Sequence, residues 1–138
     1  MAASRWDAIA SGEVVIPINA ELGFTIEPSS DPAAGIVYTW TVPSALCNSA
    51  GNLQGGMLAA FADSVLGGAA SAYLAADQYP ALAEMKISIL RPAPAGMELT
   101  GKGRVLKAGK KILFVEAEVW GGDELIAKAS GTEVPSPL

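Results

Sequence analysis

The second half of the chain shows hydrophobic and polar positions that alternate with a period of two, the pattern of half-buried β-strands. Met85, Ile87 and Ile89, for example, alternate with polar neighbours. Gly121-Gly122 is typical of a tight hairpin between two such segments. The pattern predicts four strands, over residues 84–91, 97–107, 112–120 and 124–134. Because short turns join them, we expect an antiparallel meander in which each strand pairs with the next.

The first half is predicted to hold two helices and two strands. The expected bounds are 4–11 for a short helix after Ser4, 23–27 and 35–42 for the strands, 43–54 for an irregular stretch, and about 76 for the end of a long helix. Small residues over 67–72 let a curved sheet approach the long helix closely. The sequence therefore predicts an α+β fold, an antiparallel sheet wrapped around one long central helix.

Residues 56–76 are apolar enough to raise the alternative of a membrane span. Asp63 lies in the middle of this segment, where a charge costs about 2.5–3.5 kcal/mol. Most of the other residues are alanine and glycine, which contribute little transfer energy. We therefore expect a buried helix and no membrane association.

The composition fits one folded domain over residues 1–138, since 51% of the residues are hydrophobic and 17% are charged. No signal peptide is visible and Cys47 is the one cysteine, so a cytoplasmic location is expected. The net charge of −5 argues against a nucleic-acid partner. Seven of the nine basic residues nonetheless lie between positions 86 and 111. They form either solvated strand faces or a patch for a small polyanion.

The chain contains no histidine. This absence excludes Ser-His-Asp and Cys-His catalytic arrangements within the chain, and it excludes histidine-liganded metal sites. Any catalysis must use carboxylates, amides, hydroxyls, lysine, tyrosine, the thiol or the backbone.

Gly55 and Gly56 stand at the predicted start of the long helix. The first turn of a helix has free N–H groups at the positive end of the helix dipole, and glycine lets a ligand approach the backbone closely. The pair indicates either a site for a developing oxyanion or an ordinary glycine-rich helix entry.

Asp63 is an unusual residue within this apolar helix, either on a solvent-exposed seam or as a functional carboxylate at an interface. It lies eight residues beyond Gly55, which is about 12 Å along a helix. A nucleophile and an oxyanion donor must both reach one carbonyl group, within about 3–3.5 Å. One helix cannot supply both, but two antiparallel helices from two subunits can. The spacing therefore predicts a two-fold dimer with two shared sites.

Asn48, Gln54-Gly55-Gly56 and Asp63 together resemble the motif of the hotdog-fold acyl-CoA thioesterases, in particular the branch related to the phenylacetate-pathway thioesterase. The resemblance extends over nearly the whole chain. Further matching stretches are Leu22-Gly23-Phe24, Gly35, residues 85–92 and residues 94–96.

The resemblance implies a role for each residue of the motif. Asp63 would be the nucleophile or the base that activates water, the Gly55 N–H would bind the thioester oxygen, and Asn48 would orient the thioester or the water. Gln54 stands where the family usually has histidine; it can donate a hydrogen bond but cannot carry a proton. Residues 81–83 lack the serine or threonine that the family often has there.

The resemblance also implies the substrate and the partners. The expected substrate is a small aromatic or short- to medium-chain acyl-CoA, bound in part by Gly56, Ser64 and Arg91, with the basic residues 107–111 as further candidates for the phosphates. We expect no metal and no cofactor other than the coenzyme A of the substrate, and a homodimer or a homotetramer. The alternatives are a non-catalytic acyl-CoA-binding protein and a structural assembly module; a hotdog hydratase is disfavoured because it requires histidine.

Overall fold

The computed structural model describes residues 3–138, which form three α-helices and six β-strands. The helices are α1 (Arg5–Ala10), α2 (Pro17–Leu22) and α3 (Gly55–Ser71), with a single 3₁₀ turn over Ser44–Leu46. The strands are β1 (Thr25–Ile26), β2 (Ile36–Thr41), β3 (Gln78–Ile89), β4 (Glu98–Ala108), β5 (Leu113–Gly121) and β6 (Glu124–Pro137). The α+β prediction is confirmed.

The six strands form one antiparallel sheet with the order β1-β2-β4-β5-β6-β3. The predicted four-strand meander is therefore wrong in one pairing: β4, β5 and β6 follow one another, but β3 pairs with β6 at the edge. The connection after β3 does not fold back as a hairpin. It binds the loop before α3, where the Leu53 N–H donates to the Ala93 carbonyl oxygen at 2.8 Å. The chain then continues to β4, which lies between β2 and β5 in the sheet.

Two element bounds differ from the prediction around the end of α3. The helix ends at Ser71 rather than near residue 76, because its last turn tightens and the N–H groups of Tyr73 and Leu74 bond to carbonyls three residues earlier. Strand β3 begins at Gln78 rather than at residue 84. Its first half contains Pro80, which lacks an N–H donor and is tolerated because β3 is an edge strand.

The N-terminal region holds one predicted helix and one that the prediction missed. Helix α1 starts with a capping box, in which the Ser4 hydroxyl accepts from the Asp7 N–H and the Asp7 carboxylate accepts from the Ser4 N–H. Helix α2 has Pro17 in its first turn and ends at Gly23, whose φ is 83°. This ending shortens the predicted strand 23–27 to two residues.

Helix α3 packs across the concave face of the sheet, at a distance set by glycines on both sides. A Cβ on Gly101 of β4 would lie 2.6 Å from Val65 Cγ2, and one on Gly103 would lie 2.8 Å from Val65 Cγ1. On the helix, a Cβ on Gly68 would lie 2.7 Å from the Tyr38 hydroxyl oxygen. The prediction placed the small residues on the helix, whereas the glycines of β4 contribute equally to the close approach. No helix among residues 3–138 has the length and apolar character needed to cross a membrane.

Candidate active site

The loop before α3 is held by the side chain of Asn48. Its Oδ1 accepts hydrogen bonds from the N–H groups of Ala50 (3.0 Å) and Asn52 (3.2 Å). The side-chain oxygen is thus committed to the loop itself. The part of Asn48 that can bind a substrate is its amide NH₂ group, which is a donor.

Gln54 is the N-cap of α3, and its carbonyl oxygen accepts from the N–H groups of Met57 and Leu58. Its side chain is exposed and makes no capping hydrogen bond. The N–H groups of Gly55 and Gly56 have no hydrogen-bond partner among the described residues. Space also differs at the two glycines: a Cβ on Gly55 would lie 3.3 Å from Ile89 Cδ1, whereas one on Gly56 would meet nothing within 4 Å. The helix start thus presents free donors in an accessible position.

Three of the predicted site residues, Asn48, Gly55 and Arg91, line one open cleft of about 380 Å³. Its other walls come from Asn52, Leu53, Ile89, Leu90 and Pro92. The Arg91 guanidinium donates to the Leu125 carbonyl oxygen at 2.9 Å, and its Nε lies 3.4 Å from Glu124 Oε2. We call this space the amide cleft, because its polar donors include backbone and side-chain amides.

Asp63 and Ser64 line a different cavity, of about 350 Å³, which we call the carboxylate cavity. It lies between α3, the N-terminal helices and the start of β3. Its walls are mostly apolar and include Ile9, Val14, Val15, Ile16, Pro17, Tyr79 and Pro80. In a single chain, therefore, the cavity lined by Asp63 is not the cleft lined by Gly55.

Asp63 lies exposed on the surface of the single chain, between the buried residues Ala62 and Val65. Partial burial nevertheless raises the pKa of the Asp63 carboxyl above its ordinary value. No basic side chain among residues 3–138 pairs with it. A carboxylate in such surroundings is a stronger base than one in water.

Glu133 on β6 was not predicted as a site residue, although it is the most deeply buried acidic side chain, with 1% of its surface exposed. Burial and, to a smaller extent, the negative charge of Asp63 together raise the pKa of the Glu133 carboxyl to about 8. A signal was present in the sequence: Glu133 has the same strand parity as Ala127, Ala129 and Gly131, and these three residues are buried.

The basic residues between positions 86 and 111 divide between two environments. Arg91 lines the amide cleft. Arg104 instead forms an ion pair with Glu116, and the Lys102 ammonium lies 5.8 Å from the centre of the Trp120 ring. The exposed lysines at 107, 110 and 111 line neither of the two cavities. The interpretation as solvated strand faces thus describes most of them.

Comparison with known proteins identifies relatives of this arrangement. The sequence profile of the Thioesterase superfamily matches residues 50–128, which include Gly55 and Asp63. A structure from Ralstonia eutropha JMP134, described as a thioesterase candidate related to phenylacetic acid degradation, is 29% identical. The match covers 94% of this chain and 98% of that one, with a TM-score of 0.86.

Two further structures share the architecture. A conserved protein from Pseudomonas aeruginosa is 30% identical over 90% of this chain and 97% of its own, with a TM-score of 0.79. A protein from Streptococcus mutans UA159, solved with bound acetyl-CoA, is 20% identical over 83% and 89%, with a TM-score of 0.73. No curated protein sequence matches the chain. The comparisons confirm the hotdog fold and the resemblance on which it was predicted.

Proposed function

We propose that this chain, which belongs to the thioesterase superfamily and is a thioester hydrolase, cleaves acyl-CoA in a site shared by two copies of itself. The observation that carries the proposal is the N–H group of Gly55, which lines the amide cleft at the start of α3 and has no hydrogen-bond partner among the described residues. The S. mutans neighbour, which binds acetyl-CoA, supports acyl-CoA as the ligand class. Membership of this family favours a hydrolase over a non-catalytic acyl-CoA-binding protein, although Gln54 stands where the family usually has histidine.

The second copy is needed because the amide cleft lacks a carboxylate from its own chain. Strand β3 offers a surface for this copy: it is a 12-residue edge strand with Tyr79, Leu82 and Ile89 partly exposed along it. An exposed edge with apolar side chains favours pairing with another strand. Two-fold pairing along β3 would set the α3 helices of the two subunits antiparallel, so that each Gly55 approaches the Asp63 of the partner subunit.

In the proposed reaction, the Gly55 N–H donates a hydrogen bond to the thioester carbonyl oxygen, and the helix dipole stabilises the negative charge that develops there. Asp63 of the partner subunit takes a proton from water, and the water oxygen bonds to the carbonyl carbon. The C–S bond then breaks, coenzyme A leaves as a thiolate, and the thiolate takes the proton from Asp63. In the alternative route the Asp63 carboxylate attacks the carbonyl carbon directly, and water hydrolyses the resulting anhydride. Neither route needs histidine or a further cofactor.

The carboxylate cavity suits a small acyl group. Its volume of about 350 Å³ and its apolar walls match a small aromatic or a short- to medium-chain acyl group. Ser64 lies beside Asp63 at this cavity, whereas Arg91 lines the amide cleft and would contact a phosphate of coenzyme A. Gly56 leaves open space where the thioester enters.

The first test is thiol release from a panel of acyl-CoAs by the wild type and Asp63→Asn. We expect kcat to fall by about 10²- to 10⁴-fold, the usual contribution of a catalytic base. The matched control is Asp123→Asn, an exposed aspartate at the β5–β6 turn, which should keep wild-type rates. Equal rates in the wild type and Asp63→Asn would remove Asp63 from the mechanism.

The second test asks whether the site is shared. We expect a Gly55→Pro subunit and an Asp63→Asn subunit to be inactive alone. A mixed dimer would have one site with both groups intact, so random mixing should restore about a quarter of the wild-type activity. If each site belonged to one chain, mixing would restore nothing; that result, with dimers shown by light scattering, would overturn the shared site.

A further inference from the structure

Two buried polar side chains without hydrogen-bond partners lie together at the carboxylate cavity. Asn19 on α2 lines the cavity and is only 9% exposed, and its Oδ1 has no partner among residues 3–138. The hydroxyl of Tyr38 on β2 is completely buried and also lacks a partner in that part of the chain. Because buried polar groups are ordinarily paired, two unpaired groups in one place require an explanation.

Gly68 on α3 brings the Tyr38 hydroxyl to the wall of this cavity. Gly68 lines the cavity, and a Cβ on it would lie 2.7 Å from the Tyr38 hydroxyl oxygen. The Asn19 side chain lies near the same oxygen: burial raises the pKa of Tyr38 to about 12, and Asn19, as a hydrogen-bonding neighbour, opposes this rise. The two side chains nevertheless make no hydrogen bond of ordinary geometry. Each therefore keeps its capacity to bond to another polar atom.

Other polar side chains that line the cavity are paired or open to solvent. The Ser71 hydroxyl donates to the carbonyl oxygen four residues earlier, at 2.8 Å. The Arg5 guanidinium donates to the Ala76 carbonyl oxygen at 3.3 Å. Tyr79 is 42% exposed, so water can solvate its hydroxyl. Among the described residues that line the cavity, Asn19 is the one whose polar side chain is both buried and without a partner.

A purely structural role does not explain the Asn19 amide. The structural hydrogen bonds of Asn19 come from its backbone, whose carbonyl oxygen accepts from the N–H groups of Gly23 and Phe24, both at 2.9 Å, at the end of α2. Any amino acid at this position would supply that carbonyl. A leucine of similar size would fill the space without burying an unpaired amide, and leaving a buried polar group unpaired lowers stability.

The distance from Asp63 to this polar wall defines the length of acyl chain that would reach it. Asp63 and Gly68 both line the cavity, and the five helical residues between them correspond to about 7.5 Å. In the proposed reaction the thioester carbon lies beside Asp63, so an atom roughly that far along the acyl chain would lie near Asn19. An extended six-carbon acyl chain with a terminal hydroxyl has this length, given bonds of about 1.5 Å and angles near 111°.

We propose that Asn19, beside the Tyr38 hydroxyl, is a specificity-determining residue that selects acyl groups with a hydrogen-bonding atom about 7.5 Å from the thioester carbon. The proposal rests on the proposed function, because it takes the carboxylate cavity as the acyl site. The amide of Asn19 can donate through its NH₂ group or accept through its oxygen, so it can pair with a hydroxyl in either sense. An apolar chain of equal length would leave this amide buried and unpaired, which is how a polar pocket rejects an apolar analogue.

The test compares 6-hydroxyhexanoyl-CoA with heptanoyl-CoA, whose acyl chains differ only in a terminal hydroxyl or methyl group. We expect kcat/KM of the wild type to be about tenfold higher for the hydroxylated chain, and this ratio to fall below about twofold in Asn19→Leu. Tyr38→Phe should lower the ratio less, because it leaves the amide in place.

The matched control is Glu21→Gln, an exposed residue on the same helix as Asn19, which should keep the wild-type ratio. Thermal melting of Asn19→Leu would show whether α2 is still folded. Equal kcat/KM values of the wild type for the two substrates would overturn the inference without any variant. A ratio that Asn19→Leu leaves unchanged would overturn it as well.

Equilibrium binding separates this inference from the proposed function. Calorimetry with Asp63→Asn, which should hydrolyse little, would measure the affinity for each acyl-CoA. We expect the hydroxylated chain to bind about tenfold more tightly, and a second substitution, Asn19→Leu, to remove this preference. If Asp63→Asn hydrolyses normally while the preference depends on Asn19, the proposed role of Asp63 fails and the specificity stands. If hydrolysis needs Asp63 but the preference does not depend on Asn19, the inference alone fails.

Discussion

The amide cleft and the carboxylate cavity differ in what their chemistry depends on. The amide cleft is lined by Gly55, whose N–H has no partner among the described residues, and backbone amides do not titrate near neutral pH. The carboxylate cavity offers Asp63, whose pKa is raised by burial and whose charge acts on Glu133. In the proposed reaction of this histidine-free chain, the first region would supply a donor that is constant with pH, and the second would supply the proton chemistry. Variants of the two regions should therefore differ in their pH profiles.

Among variants of the amide cleft, Gly55→Pro is expected to lower kcat the most. Proline removes the N–H donor but is tolerated at the first position of a helix. Gln54, with φ −59° and ψ 134°, already has the extended backbone that precedes a proline. Removing one such donor typically lowers kcat by about 10²- to 10³-fold, and this loss should be the same at every pH.

Gly55→Ala is the matched control, because its Cβ meets the same Ile89 Cδ1 atom at 3.3 Å but the N–H remains. Thermal melting of both variants would show whether the helix start is intact. A Gly55→Pro enzyme as active as Gly55→Ala would show that this N–H does not bind the thioester oxygen.

Glu133→Gln should have the next largest effect, on stability rather than on rate. The folded chain keeps the Glu133 proton up to about pH 8, whereas the unfolded chain releases it near 4.5. Between these values the folded state binds more protons, so stability falls as pH rises, by at most about 1.4 kcal/mol per pH unit. The glutamine variant lacks this proton and should lose less stability over the same interval.

Urea unfolding midpoints at several pH values between 4.5 and 8 would measure this difference. Glu98→Gln, an exposed glutamate at the start of β4, is the control and should follow the wild-type pH dependence. Parallel curves for the wild type and Glu133→Gln would mean that Glu133 ionises normally in the folded chain.

Arg91→Gln should have the smallest effect. The Arg91 side chain is 50% exposed, so a contact with a phosphate there is screened by solvent and salt. We expect KM to rise by roughly fivefold at low ionic strength and kcat to stay constant, with a smaller difference at high salt. The control is Lys110→Gln, an exposed lysine that lines neither cavity. An equal rise of KM in both variants would indicate a general charge effect.

The sequence predicted the start of α3 better than the pairing of strands. Gly55-Gly56 marks the start of α3 because two glycines after a polar loop leave a clear signal at a helix boundary. The position of β3 left no such signal, since a period of two shows which face is buried but not which strand is the neighbour. The hydrogen bond between Leu53 and Ala93, in the connection that follows β3, is long-range, and no local pattern predicts it.

Glu133 shows a different limit of sequence reasoning. A charged residue near the end of a strand is usually exposed. Glu133 nevertheless has the same parity as the buried residues Ala129 and Gly131, so its side chain faces the core. The interaction with Asp63 depends on the packing of β6 under α3, which the order of residues alone does not give. Helix α2 was missed for a simpler reason, because its six residues are too few to show a helical period.

The glycines of β4 have a consequence for the proposed site residues on the helix that packs against them. Helix α3 carries both Gly55 and Asp63, and its height over the sheet is fixed where Val65 rests on the bare backbone of Gly101 and Gly103. One added methyl group at either strand position would push α3 away from the sheet and displace Gly55 and Asp63 together. The absence of side chains at these two strand positions thus helps to set where the proposed site residues lie, although neither glycine needs to touch a substrate.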